Sequence, residues 1–361
     1  MIGSFAVICG HLGNGVNLFY DWFPPYSFHL PLFLFSSGYF YKNDSIKNVR
    51  GYVFHKIKTL LIPLYLWNLL YAVITLLSHK MGFSIGWQVN IRSLFWIPFY
   101  NGHQFDYNCP SWFVAPLFLV QMFNVVFRKL LNAIGIRENE LAIAIVYFIF
   151  AYVSYDFLQI TLLGELSLPL SHMFTMLPYY SVGTLYKKYE RKESNNYYSF
   201  IIIAFVGSLF IKHITGSNLT YNIVLFSIQR QEYYWLSYVQ SFLGIAFWVS
   251  VANILLPVIQ GKKWIKSISD SAFSIMVNQL AVGMVIKGFF ALAYKYTSFC
   301  SGFNMTKFYS EVYYVYLPRD NMQWQLFYDM AALLVPVFIQ KMVNNCKCLI
   351  IQKVAIAGTS H

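Results

Sequence analysis

Basic residues crowd every second connection between ten apolar stretches, and this alternation restricts the chain more than any motif in it. A bilayer is crossed by roughly 20 mostly apolar residues. Runs of that kind fall at residues 2–18, 28–41, 53–77, 112–131, 141–157, 168–186, 198–212, 236–257, 272–294 and 324–343. With the N-terminus placed in the cytoplasm, the inward connections hold Lys42, Lys47, Arg50, Lys56 and Lys58, then Arg128, Lys129 and Arg137, then Lys187, Lys188, Arg191 and Lys192. Lys262, Lys263 and Lys266 follow, with Lys341, Lys347 and Lys353 after the last run, so that 18 of the 26 Lys and Arg share one side. Cytoplasmic loops carry such an excess. The fold predicted is an all-α integral membrane protein of about ten transmembrane helices with both termini cytoplasmic. Residues 1–345 are expected to form one multi-pass membrane domain, and residues 346–361 a short cytoplasmic tail.

Composition agrees and removes rivals. Of the 361 residues, 58% are hydrophobic and 11% charged, against about 25% charged in a soluble domain. The net charge of +12 does not imply a nucleic-acid partner, because the basic residues sit at helix ends rather than on one continuous face. The first run lacks the basic lead and small-residue cleavage site of a signal peptide. Five cysteines show no metal-ligand spacing, so no metal is expected. Cys109 and Cys300 belong to outward loops, as lone thiols or as a pair. Pro63 is expected to kink the third run. The apolar residues 94–100 are too few to span and read as re-entrant or interfacial. The outward loops at 79–111, 213–235 and 295–323 are the longer ones, where specificity would sit.

Within the runs, polar residues are few enough to weigh singly. His11 lies in the first run, between Gly10 and Gly13, and His29 enters the second from the same outer side. Imidazole titrates near neutral pH and suits proton transfer to or from a hydroxyl; two histidines bonding neighbouring helices is the plainer alternative. Ser37 and Gly38 suit close helix approach. Arg50, Lys56 and Lys58 offer a landing place for a phosphate-rich donor, although the orientation rule accounts for such a loop as well. Lys287 and Asp329 are placed at matching depth in the last two runs, where a charge calls for a partner, and an ion pair is expected.

Taken together, these residues resemble acyltransferase family 3, the integral-membrane O-acyltransferases that decorate bacterial polysaccharides. The resemblance begins at VICGH (7–11) and is most specific at FHLPLFLFSSGYFYK (28–42). It continues through KIKTLLIPLYLW (56–67), SWFVAPLFLVQMF (111–123), SVGTLYKK (181–188) and ISDSAFSIMVNQ (268–279). The branch it is most similar to contains the fucose 4-O-acetylase-like and O-antigen or exopolysaccharide O-acetyltransferases. The resemblance implies an acyl-CoA donor, usually acetyl-CoA, reached from the cytoplasm. It implies a sugar hydroxyl acceptor on a lipid-linked or cell-surface polysaccharide, no bound cofactor, and a bacterial inner membrane location. His11 and His29 would be catalytic, and Arg50, Lys56 and Lys58 would hold the CoA phosphates. Three departures stand out. The family's Arg eleven residues before the first-run His would precede Met1, so an upstream in-frame start is expected. A late His is Asn278 here, which hydrogen-bonds but is no general base. A fused extracytoplasmic domain seen in many members would have to be a separate chain. The rival class is a lipid-linked glycan flippase or a polysaccharide polymerase, which fits the hydropathy equally well.

Topology is open to a direct check. Reporter fusions at Asn218 and Asn304 are expected to report the outside, and one at Lys263 the inside. A cytoplasmic signal at Asn304 would overturn the orientation of the C-terminal half.

Overall fold

The computed structural model describes residues 1–13, 19, 21–136, 139–157, 164–190, 196–217, 219 and 233–358; side chains at 155–157, at 164 and beyond 346 are not described. Arg137, Arg191, Lys192 and Asn218, and the part of the first run from residue 14 to 18, lie outside the described residues. Every predicted run lies on a helix: α1 Ile2–His11, α2 Pro25–Tyr39, α3 Val49–Lys80, α4 Val114–Ala133, α5 Glu140–Phe157, α6 Ser167–Tyr189, α7 Tyr197–Thr215, α8 Tyr234–Ile259, α9 Ala272–Tyr296 and α10 Gln323–Gly358. No strand occurs among the described residues. Among the described residues, six helices are long and apolar enough to cross a membrane: Val49–Lys80, Asp106–Ala133, Tyr197–Thr215, Tyr234–Ile259, Ala272–Tyr296 and Gln323–Cys346. α10 runs on to Gly358, through the residues expected to form the tail.

The chain packs as two units, Leu18–Pro257 and Met1–Asn17 with Val258–His361. In the larger unit α6 is the core helix. It buries Ser171, His172, Thr175, Tyr179, Tyr180 and Ser181 as well as apolar residues. Facing protein rather than lipid, it needs no apolar surface all round, and its composition is accordingly mixed. At the periphery α7 buries Ala204, Ser208 and Ile211, one stripe at helical spacing, and exposes Ile202, Val206 and Phe210. That outward apolar face is what lipid contact requires.

α2 and α6 cross with backbone against backbone. A Cβ on Gly38 would strike the carbonyl oxygen of Tyr180, and one on Gly183 would strike that of Phe35. The Ser-Ser-Gly segment therefore sits at a helix crossing. Ser37 does more than leave room, since Gln121 Nε2 of α4 donates to its Oγ at 2.6 Å.

Prolines shape the helices locally. Pro31 lies inside α2 and has no N–H for the carbonyl four residues earlier. That carbonyl belongs to Ser27, and Ser241 Oγ of α8 donates to it at 2.6 Å. Neighbouring helices commonly repair a freed backbone group in this way. In α3 the expected irregularity takes the form of a π turn, Ile57–Leu61, just before Pro63. The ring crowds the preceding turn, and the wider turn relieves it. Residues 94–100 fall in a short helical piece, Arg92–Trp96 followed by Ile97–Tyr100. Asn68 of α3 pins it by donating to Leu94 O at 2.6 Å.

The smaller unit joins α1, α9 and α10. Gly283 of α9 meets Leu12 at the end of α1, and Ser274 Oγ donates to Pro336 O of α10 at 2.9 Å.

Because two backbones touch at the α2–α6 crossing, Gly38→Ala and Gly183→Ala are each expected to destabilise by about 1–3 kcal/mol, the usual cost of overpacking. Gly207→Ala, which meets only the flexible end of Leu243, is expected to cost less. Thermal unfolding in detergent ranks the three, and equal stabilities would contradict the crossing.

Candidate functional site

α1 ends at His11, and Leu12 and Gly13 just after it are held in place. Gly13 takes the left-handed φ of +86°, where a side chain is disfavoured, and a Cβ there would lie 3.1 Å from Gln325 Oε1 and 3.5 Å from Val315. Gln325 of α10 donates Nε2 to the carbonyl of Leu12 and also to Asp329 Oδ1, at 3.2 Å. The imidazole of His11 is 8% exposed and tilts against Tyr313, 6.0 Å between ring centres. His11 is thus a nearly buried titratable group at a helix end whose exit is tied, through one amide, to a fully buried carboxylate.

Lys287 and Asp329 are both fully buried, but the structure meets their charges separately. Lys287 Nζ donates to the carbonyl of Val312 at 2.6 Å, while Asp329 takes the Gln325 amide. Their depths match, yet the 297–322 connection folds back and supplies the partner that Asp329 was expected to be. Asn278 is tied into its own helix, Nδ2 to Ser274 O at 2.8 Å.

The remaining sequence-derived residues lie in the larger unit. His29 is buried on α2; its Nδ1 donates to the carbonyl of Pro25 at 2.5 Å, and its ring meets the edge of Tyr26. Arg50 and Lys58 are exposed, and Lys56 is half-buried with its ammonium over the Tyr52 ring, 5.3 Å from the centre. A cavity of about 350 Å³ opens beside the same connection, lined by Gly38, Tyr41, Lys42, Asn43, Glu140, Thr184, Lys187 and Lys188. Three exposed lysines at its walls make it a place for a multiply charged anion.

Two clusters escaped the sequence. Arg128, read as a loop charge, is fully buried: its guanidinium grips Glu140 with two bonds at 2.7 and 2.6 Å, takes Asn124 Oδ1 at 3.0 Å and lies 5.2 Å from the Tyr41 ring centre. It fastens the end of α4 to the start of α5 behind the cavity wall. In the outward connection, Cys109 Sγ lies 2.7 Å from His103 Nδ1, both side chains buried. Burial pushes the His103 imidazole down to about 4, so it is neutral near pH 7 and accepts the thiol proton's bond. His103 stacks on Trp112, which in turn meets His172 at 5.3 Å. The four described free cysteines are Cys9, Cys109, Cys300 and Cys346. No group of three or more His, Cys, Asp or Glu capable of holding a metal occurs among the described residues.

A family model described as an acyltransferase domain matches residues 1–339, nearly the whole chain. No curated protein and no solved structure matches significantly.

The Arg128–Glu140 pair gives a stability test. Arg128→Met strands a buried carboxylate and is expected to cost about 3–5 kcal/mol, while Arg128→Met with Glu140→Gln recovers much of the loss. Unfolding of purified Arg128→Met, Glu140→Gln and the double variant decides it, and a double loss equal to the sum of the two single losses would show that the pair is not coupled.

Proposed function

This chain belongs to acyltransferase family 3, and we propose that it is an O-acetyltransferase of the bacterial inner membrane. The reaction moves an acetyl group, or another short acyl group, from acyl-CoA to a hydroxyl of a cell-surface or lipid-linked polysaccharide sugar. Family membership separates this reading from the flippase and polymerase alternatives. The observation that carries the mechanism is His11, an imidazole held at a fixed helix end with little water around it.

A sugar hydroxyl has a high pKa and needs a base within hydrogen-bond reach to attack a thioester. His11 takes the hydroxyl proton as the oxygen attacks the thioester carbonyl. The tetrahedral intermediate collapses with loss of the C–S bond, and the imidazolium returns the proton to the departing CoA sulfur. His29, committed by Nδ1 to the Pro25 carbonyl, has a fixed ring orientation and serves the acceptor rather than the proton. The CoA phosphates belong to the cavity of Lys42, Lys187 and Lys188, with Arg50, Lys56 and Lys58 adding to the positive field that draws the donor in. Acyl-CoA, the glycan acceptor and the surrounding lipid are the partners this reading requires; no resident cofactor takes part.

Purified protein given acetyl-CoA and a polysaccharide acceptor is expected to release free thiol and to acetylate the glycan, read by mass spectrometry. His11→Ala should lower transfer roughly 10²–10⁴-fold, the usual worth of general base catalysis, with expression and insertion unchanged. Lys187→Gln with Lys188→Gln should raise KM for acetyl-CoA and leave kcat near wild type. Full activity in His11→Ala would remove the base assignment.

A further inference from the structure

In the unit that also holds His11, a second cavity opens at the start of α10. Its volume is about 400 Å³, and it is lined by Phe299, Pro318, Arg319, Asn321, Gln323, Trp324 and Phe327. We propose that it is a subsite for one sugar ring of the acceptor. The proposal rests on the acyltransferase reading above and names the part of the chain that recognises the glycan.

Its lining suits a sugar. A pyranose shows apolar C–H faces and a rim of hydroxyls. Trp324, Phe299 and Phe327 give aromatic surface for the faces. Asn321 and Gln323 carry exposed amides, each able to donate and to accept, which hydroxyls require. The volume lies in the range of small-ligand pockets, about 300–1,000 Å³. Arg319 lies 5.4 Å from the centre of the Phe299 ring, so the one cation in the lining is turned onto an aromatic face, and the acidic Asp320 follows it. A lipid phosphate would ask for a cluster of free cations instead.

The backbone that shapes the cavity is closely specified. Arg319 and Asp320 both take left-handed backbone, φ 55° and 53°, and the bend is closed by Asp320 N–H to Leu317 O at 3.0 Å and Asn321 N–H to Pro318 O at 3.2 Å. Such non-glycine conformations persist where the surroundings fix them and gather at binding sites. Asn321 also anchors the helix, accepting from Gln323 N–H at 2.9 Å.

The test uses the full chain in lipid nanodiscs and free glucose, galactose, fucose and N-acetylglucosamine as probes, read by saturation-transfer NMR. Wild type is expected to saturate the ring protons of at least one sugar. Gln323→Ala, and Asn321→Asp, which keeps the helix anchor and loses the amide donor, should each weaken binding roughly two- to tenfold, the worth of one hydrogen bond. Trp324→Leu should abolish the signal; the two exposed-residue variants keep the test valid if Trp324→Leu misfolds. A wild-type signal that none of these variants changes would overturn the subsite. So would a Trp324 fluorescence response to phosphatidylglycerol but to no sugar, which would mark a lipid site. Thiol release from acetyl-CoA is measured in parallel. Thiol release without sugar saturation overturns the subsite alone, and saturation without thiol release supports the subsite while removing the transferase reading.

Discussion

In hydrocarbon an unpaired backbone or charged group finds no water, and each costs several kcal/mol. Much of this structure is arranged around that constraint. The carbonyl that Pro31 frees in α2 is taken by Ser241. The Lys287 ammonium reaches the Val312 carbonyl, and Arg128 is enclosed by Glu140, Asn124 and the Tyr41 ring. Ser208 and Gln240 both donate to the carbonyl of Trp22, at 2.7 and 2.8 Å. Apart from Arg128–Asn124, which lies within one helix, these contacts join different segments, so satisfying the polar groups and fixing the helix positions are one process.

The helices were legible because hydropathy adds up over about 20 residues and needs no knowledge of neighbours. What was lost depended on neighbours. Arg128 falls at the end of an apolar run, where the orientation rule counts a charge with the inward connection; its burial depends on Glu140, twelve residues on. The depths of Lys287 and Asp329 follow from counting residues, but depth says nothing about which way each side chain faces, and a returning loop took the lysine. Ser37 was readable as a small residue and not as the acceptor of Gln121, which comes from another helix.

The site was legible in the same uneven way. His11 and His29 stand out because ionisable groups are rare in apolar runs. His103 and Cys109 lie in a connection with no periodicity, and only the fold brings the thiol to the ring. Lys187 and Lys188 were counted for orientation; their position at a cavity wall needed the crossing of α2 and α6. Arg50 and Lys58 are exposed and Lys56 half-buried over the Tyr52 ring.

That crossing has a consequence for the donor. Gly38 is itself part of the cavity wall, and Gly183 adjoins Thr184, which is another part. Two helices whose backbones already touch have no slack to close on a ligand or to spread for a larger one. The opening between them is a fixed gauge, so the phosphate contacts proposed there would translate into affinity instead of being consumed in ordering the walls. Selection of the donor handle would then follow the rigid dimension of the notch, while the identity of the acyl group is left to other parts of the chain.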